Sequence, residues 1–276
     1  MRQNSCTVCF DTSNSWVILS PIEQSIKHKI ESIGTPLKDW DINIYRGILT
    51  GYNEAFIIST EIRNEILANC QTEDERLRTA ELIRPILRGR DIKKYGYDWA
   101  GLWLINSHNG IKEKNIPRVD INEYPAVKQH LDKHWDKLEK RADKGDTPYN
   151  LRNCAYMDDF NKPKLVYPET TQGAFFAYDE KEIYIDKTCF MVTGKDEKTL
   201  VYLQKTLSSR LFEFAYKNIF SSIELGQNGF QYNKHALIKL PVSEEIIELP
   251  DNEEEINNIV YQIYNMCTEE INLIKS

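Results

Sequence analysis

The fold is decided by residues 164–192, KLVYPETTQGAFFAYDEKEIYIDKTCFMV. Aromatic and β-branched residues, which are enriched in strands, are concentrated in residues 164–167, 173–178 and 183–192. Short polar turns separate these three runs. We therefore predict three strands in this stretch, in a mixed, mostly antiparallel sheet.

Helices are predicted on both sides of this stretch. Two of them begin with a capping box, Thr72-x-x-Glu75 and Asn252-x-x-Glu255, and apolar residues recur at helical spacing in the others. The predicted helices cover residues 72–83, 124–142, 200–219 and 252–274, and further strands are predicted at 42–49 with 55–59 as its partner, at 102–105 and at 236–242. Because strands and helices alternate irregularly, the expected class is α+β, with helices packed on the sheet and a C-terminal helix.

The composition is that of an ordinary globular protein. The chain of 276 residues has 41% apolar and 28% charged residues, and no apolar run reaches the ~18 residues that a membrane span needs. Residues 1–15 lack the apolar segment of a signal peptide, so we expect a cytoplasmic protein with no membrane partner. Of six cysteines only Cys6 and Cys9 form a CxxC pair, which favours free thiols over a structural zinc site.

Charge is distributed unevenly along the chain. The net charge of −7 by itself argues against a nucleic-acid partner. Residues 243–276, however, contain nine acids and one base, so residues 1–242 carry a net charge of +1, and residues 84–118 carry +5. A local basic surface matters more for DNA binding than global charge, although a solvated basic loop has the same composition.

Motifs of catalytic chemistry are absent or weak. The sequence has no Gly-x-Gly loop for close approach of a nucleotide-like cofactor, and residues 147–149, TPY, lack the amide of the Asn-Pro-Pro-Tyr motif of amino-methyltransferases. Residues 179–181 and 196–198, both DEK, have the residue types of a Mg²⁺-dependent nuclease. Both fall in predicted turns, where solvated charges are expected, and a degenerate nuclease is kept as an alternative.

Several stretches, in order along the chain, resemble one family. They are YRGILTGYNEAFII (residues 45–58), LIRPILRGRDI (82–92), RADKG (141–145), KPKLVY (162–167), LSSRL (207–211) and LPV (240–242). Each motif alone is weak, but their occurrence in this order is specific. Over residues 16–242 the sequence resembles the TaqI-like C-terminal specificity domain, the target-recognition domain of type IIG restriction-modification enzymes and adenine-specific DNA methyltransferases.

The resemblance implies both partners and cofactors. In this family an N-terminal domain of the same polypeptide binds S-adenosylmethionine and methylates adenine N6, often with a Mg²⁺-dependent nuclease domain before it. The present sequence contains neither, so we expect it to correspond to the C-terminal portion of such an enzyme. The expectation is a domain that binds double-stranded DNA, holds no cofactor of its own and catalyses no reaction.

The expected division of the chain has three parts. Residues 1–40 would lead from the methyltransferase domain, residues 41–242 would form the recognition domain, and residues 243–276 would form an acidic linker and a C-terminal helix. The apolar stripe of that helix, from Ile256 to Ile274, is typical of a helix that packs on its parent domain. A protein-interaction module that uses this helix is the second alternative.

A target-recognition domain needs cations that fix its register on the phosphates and side chains that read base edges. The candidate phosphate contacts are Arg88, Arg90, Lys93, Lys94, Lys144, Arg152, Lys162 and Lys164. For Arg88 and Arg90 an equal alternative is structural, because Arg-Gly-Arg-Asp can pin a turn through Asp91.

Two polar segments are the candidates for base reading, since Asn and Gln can pair with adenine and Arg with guanine. Their candidate residues are Asn150, Arg152 and Asn153 in the first segment, and Gln227, Asn228, Gln231 and Lys234 in the second. Either segment could equally be an ordinary surface loop, and the family resemblance is what favours a contact with DNA.

Overall fold

Residues 164–192 form the centre of the molecule. The computed structural model describes residues 19–220, 224–225 and 229–276. The strands are β1 Thr35–Pro36, β2 Ile42–Arg46, β3 Ile57–Ser59, β4 Ile83–Leu87, β5 Ile92–Lys93, β6 Gly96–Tyr97, β7 Leu102–Ile105, β8 Lys164–Pro168, β9 Thr170–Thr171, β10 Ala177–Asp179, β11 Tyr184–Ile185, β12 Cys189–Gly194, β13 Glu224–Leu225, β14 Gly229–Gln231 and β15 Pro241–Val242.

The helices follow the same chain order. They are α1 Pro21–Ile33, α2 Asn53–Phe56, α3 Thr60–Ala68, α4 Glu73–Leu82, α5 Pro125–Asp132, α6 Trp135–Leu138, α7 Glu197–Leu207, α8 Arg210–Ala215, α9 Lys234–Leu237, α10 Glu253–Ile263 and α11 Thr268–Lys275. A single π-helical turn, Tyr216–Phe220, follows α8. None of the helices in the described residues is long and apolar enough to cross a membrane.

Two four-stranded sheets organise the strands. The central sheet has the order β10-β8-β12-β2, and every pairing in it is antiparallel. The second sheet has the order β11-β4-β7-β3, in which only the β11–β4 pair is parallel. A third sheet, β13-β14-β9, and two two-stranded pairs complete the set, so the predicted α+β class with mostly antiparallel pairing is confirmed.

The central sheet lies between two hydrophobic cores. Side chains alternate across a strand, so Leu165 and Tyr167 of β8 enter one core while Val166 enters the other. The first core is completed by α1, α7, α8, α10 and α11, and the second by the other sheet with α2 to α6. Burial of both faces explains why this stretch reads as continuous apolar runs rather than as an alternation of apolar and polar residues.

The described parts of the two terminal segments belong to the first core. Ile26 and Ile30 of α1 are buried there with Ile256 and Val260 of α10. Glu270 of α11 also bonds α1, since its carboxylate accepts from Lys29 Nζ at 2.7 Å and from Ser25 Oγ at 2.7 Å. The proposed division at residues 40 and 242 stays a prediction, but both ends of the described chain pack on the domain between them.

The predicted hairpin at residues 42–49 and 55–59 is wrong. Residues 53–56 form the helical turn α2, β2 pairs with β12, and β3 pairs with β7. Gly51 has a φ of +69°, which turns the chain away from β2 at a backbone conformation that glycine adopts readily. Strand pairing depends on contacts between distant parts of the chain, so the turn residues at 50–53 alone led to a wrong partner for β2.

Polar caps divide three long predicted elements. The run at 183–192 is split because Asp186 Oδ1 accepts from Thr188 N at 2.9 Å, which makes a turn between β11 and β12. The helix at 200–219 restarts at Ser209, which caps α8, and the helix at 252–274 is interrupted at Asn265, whose φ is +52°. The predicted strand at 236–242 begins instead as α9, capped by Asn233.

Candidate nucleic-acid interface

Arg46 and Lys187 are brought together by a very close approach of two backbones. Gly47 follows β2 and lies against the turn after β11, where a Cβ would meet Asp186 O at 2.0 Å. Only glycine fits there, and it allows Gly47 N to donate to Cys189 O at 2.9 Å. As a result Arg46 Nε donates to Lys187 O at 2.9 Å, and both side chains are exposed.

A cleft opens beside this pair, and we call it the Arg46 cleft. It has a volume of about 380 Å³ and is lined by residues 46–49, residues 151–157 and Lys187. Tyr156 holds the two walls in contact, because its hydroxyl donates to Arg46 O at 3.0 Å and its ring stacks on that of Tyr45 with centroids 4.3 Å apart. The cleft thus joins the first stretch of the family resemblance to the segment after the Arg141 motif.

Exposed cations surround the Arg46 cleft. The side chain of Arg46 is 51% exposed and that of Arg152 is 54% exposed. Each has one surface acid beside it, since Arg46 pairs with Glu169 at 2.6 Å and Arg152 with Asp143 at 3.3 Å. Lys187 has no ion-pair partner within residues 19–220 and 229–276. Surface pairs of this kind contribute little to stability, so phosphate can replace the acids at small cost.

The predicted Arg-Gly-Arg-Asp turn lies next to the cleft. Gly89 N donates to Thr188 Oγ1 at 2.9 Å, which places the turn beside Lys187. Arg88 Nε and Nη2 donate to the two carboxylate oxygens of Asp91 at 3.0 and 2.8 Å. Burial works against the charge on Asp91, but these hydrogen bonds outweigh it and hold the pKa of Asp91 below its usual range.

The structure therefore separates the two arginines of that turn. Arg88 has the structural role that was its alternative, because its guanidinium is committed to Asp91. Arg90 is exposed, and in the described part of the chain it forms no ion pair. Lys93 is also exposed and donates to Arg90 O at 2.8 Å, so Arg90 and Lys93 form a second cationic patch on this turn.

The remaining cations of the predicted set are dispersed. Lys94 is half-buried and pairs with Glu253 at 2.6 Å, which ties it to α10. Lys144 donates to Glu139 O at 2.6 Å and is exposed, and Lys162 pairs with Asp159 at 2.6 Å while 61% of its side chain is exposed. These three cations are not gathered at the Arg46 cleft.

The second predicted reading segment is described only in part. Gln227 and Asn228 lie outside the described residues. Gln231 ends β14, where it pairs with Thr170 of β9. Lys234 is exposed and donates to Ile44 O at 2.8 Å, beside β2.

Two predicted DNA contacts are corrected by burial. Lys164 has a side chain with 0% exposure, and its Nζ donates to Asp179 Oδ2 at 2.7 Å and to Phe160 O at 2.8 Å. Asn150 is 1% exposed, and its Nδ2 donates to Val119 O at 2.9 Å. Neither side chain reaches the surface, so Lys164 is no phosphate contact and Asn150 is no base reader in this structure.

The acid-x-Lys segments do not present carboxylates for a metal ion. Asp179 accepts four hydrogen bonds, from Tyr97 Oη, Lys164 Nζ and the backbone N–H groups of Lys181 and Ile183. Asp196 caps α7 by accepting from Thr199 N at 2.8 Å. In the part of the chain that the structure describes, no group of three or more His, Cys, Asp or Glu side chains is arranged to hold a metal ion.

Sequence reasoning missed two residues of the cleft. Arg46 stands within the first stretch of the resemblance, next to the glycine that positions it, and that adjacency was a usable signal. Lys187 is an isolated lysine in a turn, and nothing in its neighbours along the chain marks it. Its position beside Arg46 depends on pairing between segments about 140 residues apart, as the Arg46 Nε bond to its carbonyl shows.

The solved structures that share this fold include two restriction enzymes. One is the type IIG restriction endonuclease BpuSI, with a TM-score of 0.52, 14% identity, and coverage of 89% of this chain and 28% of that protein. The other is the type IIL restriction-modification enzyme MmeI in complex with DNA, with a TM-score of 0.56, 13% identity, and coverage of 88% and 36%. This chain thus spans about a third or less of the length of either enzyme.

A family model gives the assignment. The model of the TaqI-like C-terminal specificity domain matches residues 84–242, which is more than half of the chain. The match includes the Arg-Gly-Arg-Asp turn and the whole of the wall at residues 151–157. The chain belongs to the TaqI-like C-terminal specificity domain family.

Proposed function

We propose that this chain is a non-catalytic DNA sequence-recognition domain of a type IIG restriction-modification enzyme. It would bind double-stranded target DNA and position it for an N6-adenine methyltransferase domain, and for a nuclease, in the same polypeptide. Family membership supports this proposal, as does the fold shared with MmeI, which was solved in complex with DNA. The enzyme activity would belong to regions beyond the matched fold.

The observation that carries the proposal is the cationic rim of the Arg46 cleft. Arg46, Arg152 and Lys187 come from three distant segments and meet at one surface, with Arg90 and Lys93 on the adjoining turn. A chain with a net charge of −7 gains local attraction for DNA when its exposed cations are concentrated in this way. Phosphate contacts from such cations fix register but carry no sequence information.

We assign base reading to the wall of the cleft that residues 151–157 form. Arg152 and Asn153 are exposed on it, and Asn153 is held in place because its Oδ1 accepts from Asn109 Nδ2 at 2.5 Å. An arginine and an asparagine of this kind suit guanine and adenine edges in the major groove. Gln231 and Lys234 remain candidates for a second reading segment.

The cofactors of the parent enzyme would bind elsewhere. S-adenosylmethionine would supply the methyl group, and Mg²⁺ would serve the nuclease. Among the described residues, Asp179 does not fit a metal ligand because it is already bonded to four donors, and no group of three or more His, Cys, Asp or Glu side chains is arranged around a common point. The described residues of this chain would instead hold and orient the duplex.

A binding selection tests the proposal. The chain is incubated at low salt with double-stranded DNA that carries a randomised segment, and the bound fraction is sequenced. We expect enrichment of one motif, and a Lys187→Ala variant should bind all duplexes more weakly by a similar factor. Lys198→Ala is the matched control, because Lys198 is also an exposed lysine but lies on α7. Absence of both binding and enrichment would contradict the proposal.

A further inference from the structure

Arg141 is a buried cation whose partners are backbone carbonyl groups. It is 7% exposed, and its Nη1 donates to Thr50 O and to Asp143 O, the latter at 3.0 Å. Its Nη2 donates to Pro148 O at 3.1 Å and to Asn150 O. No carboxylate among the described residues pairs with it, so four carbonyl dipoles stabilise the charge.

This guanidinium also contacts an aromatic ring. The group lies over the ring of Phe56, with its central carbon 4.5 Å from the ring centroid. Burial lowers the pKa of Arg141 to about 10, so the side chain stays charged at neutral pH. A charge that has left water needs all of its partners, and displacement of any of these carbonyls is therefore costly.

Two of the four carbonyls flank the walls of the Arg46 cleft, one on each side. Thr50 directly follows residues 46–49, which form one wall, and Asn150 directly precedes residues 151–157, which form the other. A guanidinium is a rigid planar fork with fixed donor directions. Bonded to Thr50 O and Asn150 O at once, Arg141 sets the distance between the two walls.

The loop at residues 143–153 has further anchors, including Leu151 N, which donates to Ser107 O at 2.8 Å, and Asn150 Nδ2, which donates to Val119 O at 2.9 Å. Asn109 provides two more, since its Oδ1 accepts from Asp146 N at 2.8 Å and its Nδ2 donates to Asn153 Oδ1. Gly51 is another point of contact, because a Cβ there would meet Asp143 O at 2.7 Å. Polar contacts directed at backbone atoms thus hold the loop that presents Arg152 and Asn153.

We propose that Arg141 is a positioning residue for DNA recognition, holding the walls of the Arg46 cleft at the spacing that one base sequence requires. The inference rests on the proposed function and extends it from the cationic rim to the residue beneath it. Arg141 itself does not touch DNA, because it is buried under both walls. Its loss should therefore reduce discrimination between sequences more than it reduces affinity for DNA in general.

The test replaces Arg141 with lysine, which keeps the charge and removes the fork. The ammonium is a compact point charge and does not reach both walls in the same geometry. The matched control is Arg63→Lys, because Arg63 is also a partly buried arginine over an aromatic ring, 4.1 Å from the Trp103 centroid. Both variants and the unchanged chain go through the randomised-DNA selection, with melting curves alongside.

We expect the affinity for DNA and the selectivity for one motif to respond differently. Arg141→Lys should retain the affinity for unselected duplex at low salt, while enrichment of the preferred motif falls about tenfold, which corresponds to one lost base contact. Arg63→Lys should lose stability without losing enrichment. Undiminished enrichment by Arg141→Lys would overturn this inference and leave the proposed function standing.

Two other results of this experiment also have a defined meaning, namely misfolding of Arg141→Lys and absence of DNA binding by the unchanged chain. If Arg141→Lys does not fold, Asn109→Ser takes its place, because it releases Asp146 and Asn153 of the same loop without removing a buried charge. Weakened enrichment by that variant supports the inference, and unchanged enrichment overturns it. If the unchanged chain neither binds nor enriches DNA, the proposed function fails and this inference fails with it.

Discussion

Two buried cations of this protein are stabilised in different ways. Lys164 lies between β8 and β10, where it pairs with Asp179, and neither side chain is exposed. Arg141 lies beneath the Arg46 cleft and is bonded to carbonyl groups of loops. The first cation is part of a charge pair between two paired strands, whereas the second bridges carbonyl groups of separate loops.

The difference indicates how the molecule divides stability and function. An ion pair inside a sheet fixes strands that hydrogen bonds already align. A guanidinium between loops links segments that are not paired strands, and one of those segments leads to the exposed Arg152 and Asn153. Substitutions at Lys164 should therefore change folding alone, whereas substitutions at Arg141 should change both folding and recognition.

The largest effect is expected at Lys164. In Lys164→Met the Asp179 carboxylate loses its only cation and remains buried, which costs about 3–5 kcal/mol of unfolding free energy. Urea unfolding followed by fluorescence measures this. The double variant with Asp179→Asn should lose less than the sum of the two single changes. A cost below about 1 kcal/mol for Lys164→Met would contradict the buried pair.

A smaller effect is expected for Arg141→Lys in the same unfolding assay. Some carbonyl groups lose a charged donor, and each such bond contributes about 1.5–3 kcal/mol, so a total loss of about 2 kcal/mol is expected. The two variants can then be compared in both stability and DNA selectivity, and only the Arg141 variant should lose selectivity. Unchanged stability of the Arg141 variant would mean that its carbonyl partners find other donors.

The two arginines of the Arg-Gly-Arg-Asp turn should differ from each other. Arg88→Ala removes the bonds to Asp91 and should cost about 1–2 kcal/mol, while Arg90→Ala, at an exposed position, should stay within about 0.5 kcal/mol. Thermal melting at neutral pH measures both. Equal melting temperatures of Arg88→Ala and Arg90→Ala would contradict the structural role of Arg88 and leave it a candidate phosphate contact.

The same pair predicts a pH dependence with a defined sign. The pKa of Asp91 is lowered in the folded protein, so its stabilisation is complete above the pKa of an unfolded aspartate and is lost as the pH falls through the lowered value. The stability gap between the unchanged protein and Arg88→Ala should accordingly narrow in acid. A gap that is constant down to acid unfolding would show that the pair does not depend on ionised Asp91.

Much of the fold was predictable because it depends on local chemistry. Each of the three runs predicted as strands in 164–192 contains a strand, although the second begins only at Ala177, and the predicted cap at Thr72 is present, with Glu75 N donating to Thr72 Oγ1 at 3.1 Å. The predictions that failed concerned where long elements are interrupted and which strands pair with each other. Asp186 and Ser209 interrupt longer apolar patterns with side-chain bonds, and the partner of β2 is about 150 residues away in the sequence.

The site was harder to predict because exposure is a tertiary property. Lys164 and Lys162 are two residues apart in the same motif, yet one side chain is 0% and the other 61% exposed. Asn150 and Asn153 differ in the same way along one segment. Composition identified the correct segments, but which member of each faces solvent was decided by packing against strands from elsewhere in the chain.

The most direct test of the central claim is the salt dependence of DNA binding by a variant of the cleft rim. The logarithm of affinity falls with the logarithm of salt concentration in proportion to the number of phosphates contacted, by about 0.9 per contact. The variant carries Arg46→Ala, Arg152→Ala and Lys187→Ala, and its control carries Lys38→Ala, Lys195→Ala and Lys198→Ala, which removes as much charge from other exposed positions. We expect the slope of the rim variant to be shallower by about 2, or by about 3 if Arg152 also meets a phosphate, and that of the control to equal the slope of the unchanged chain. Equal slopes for all three proteins would show that the Arg46 cleft is not the surface that meets DNA.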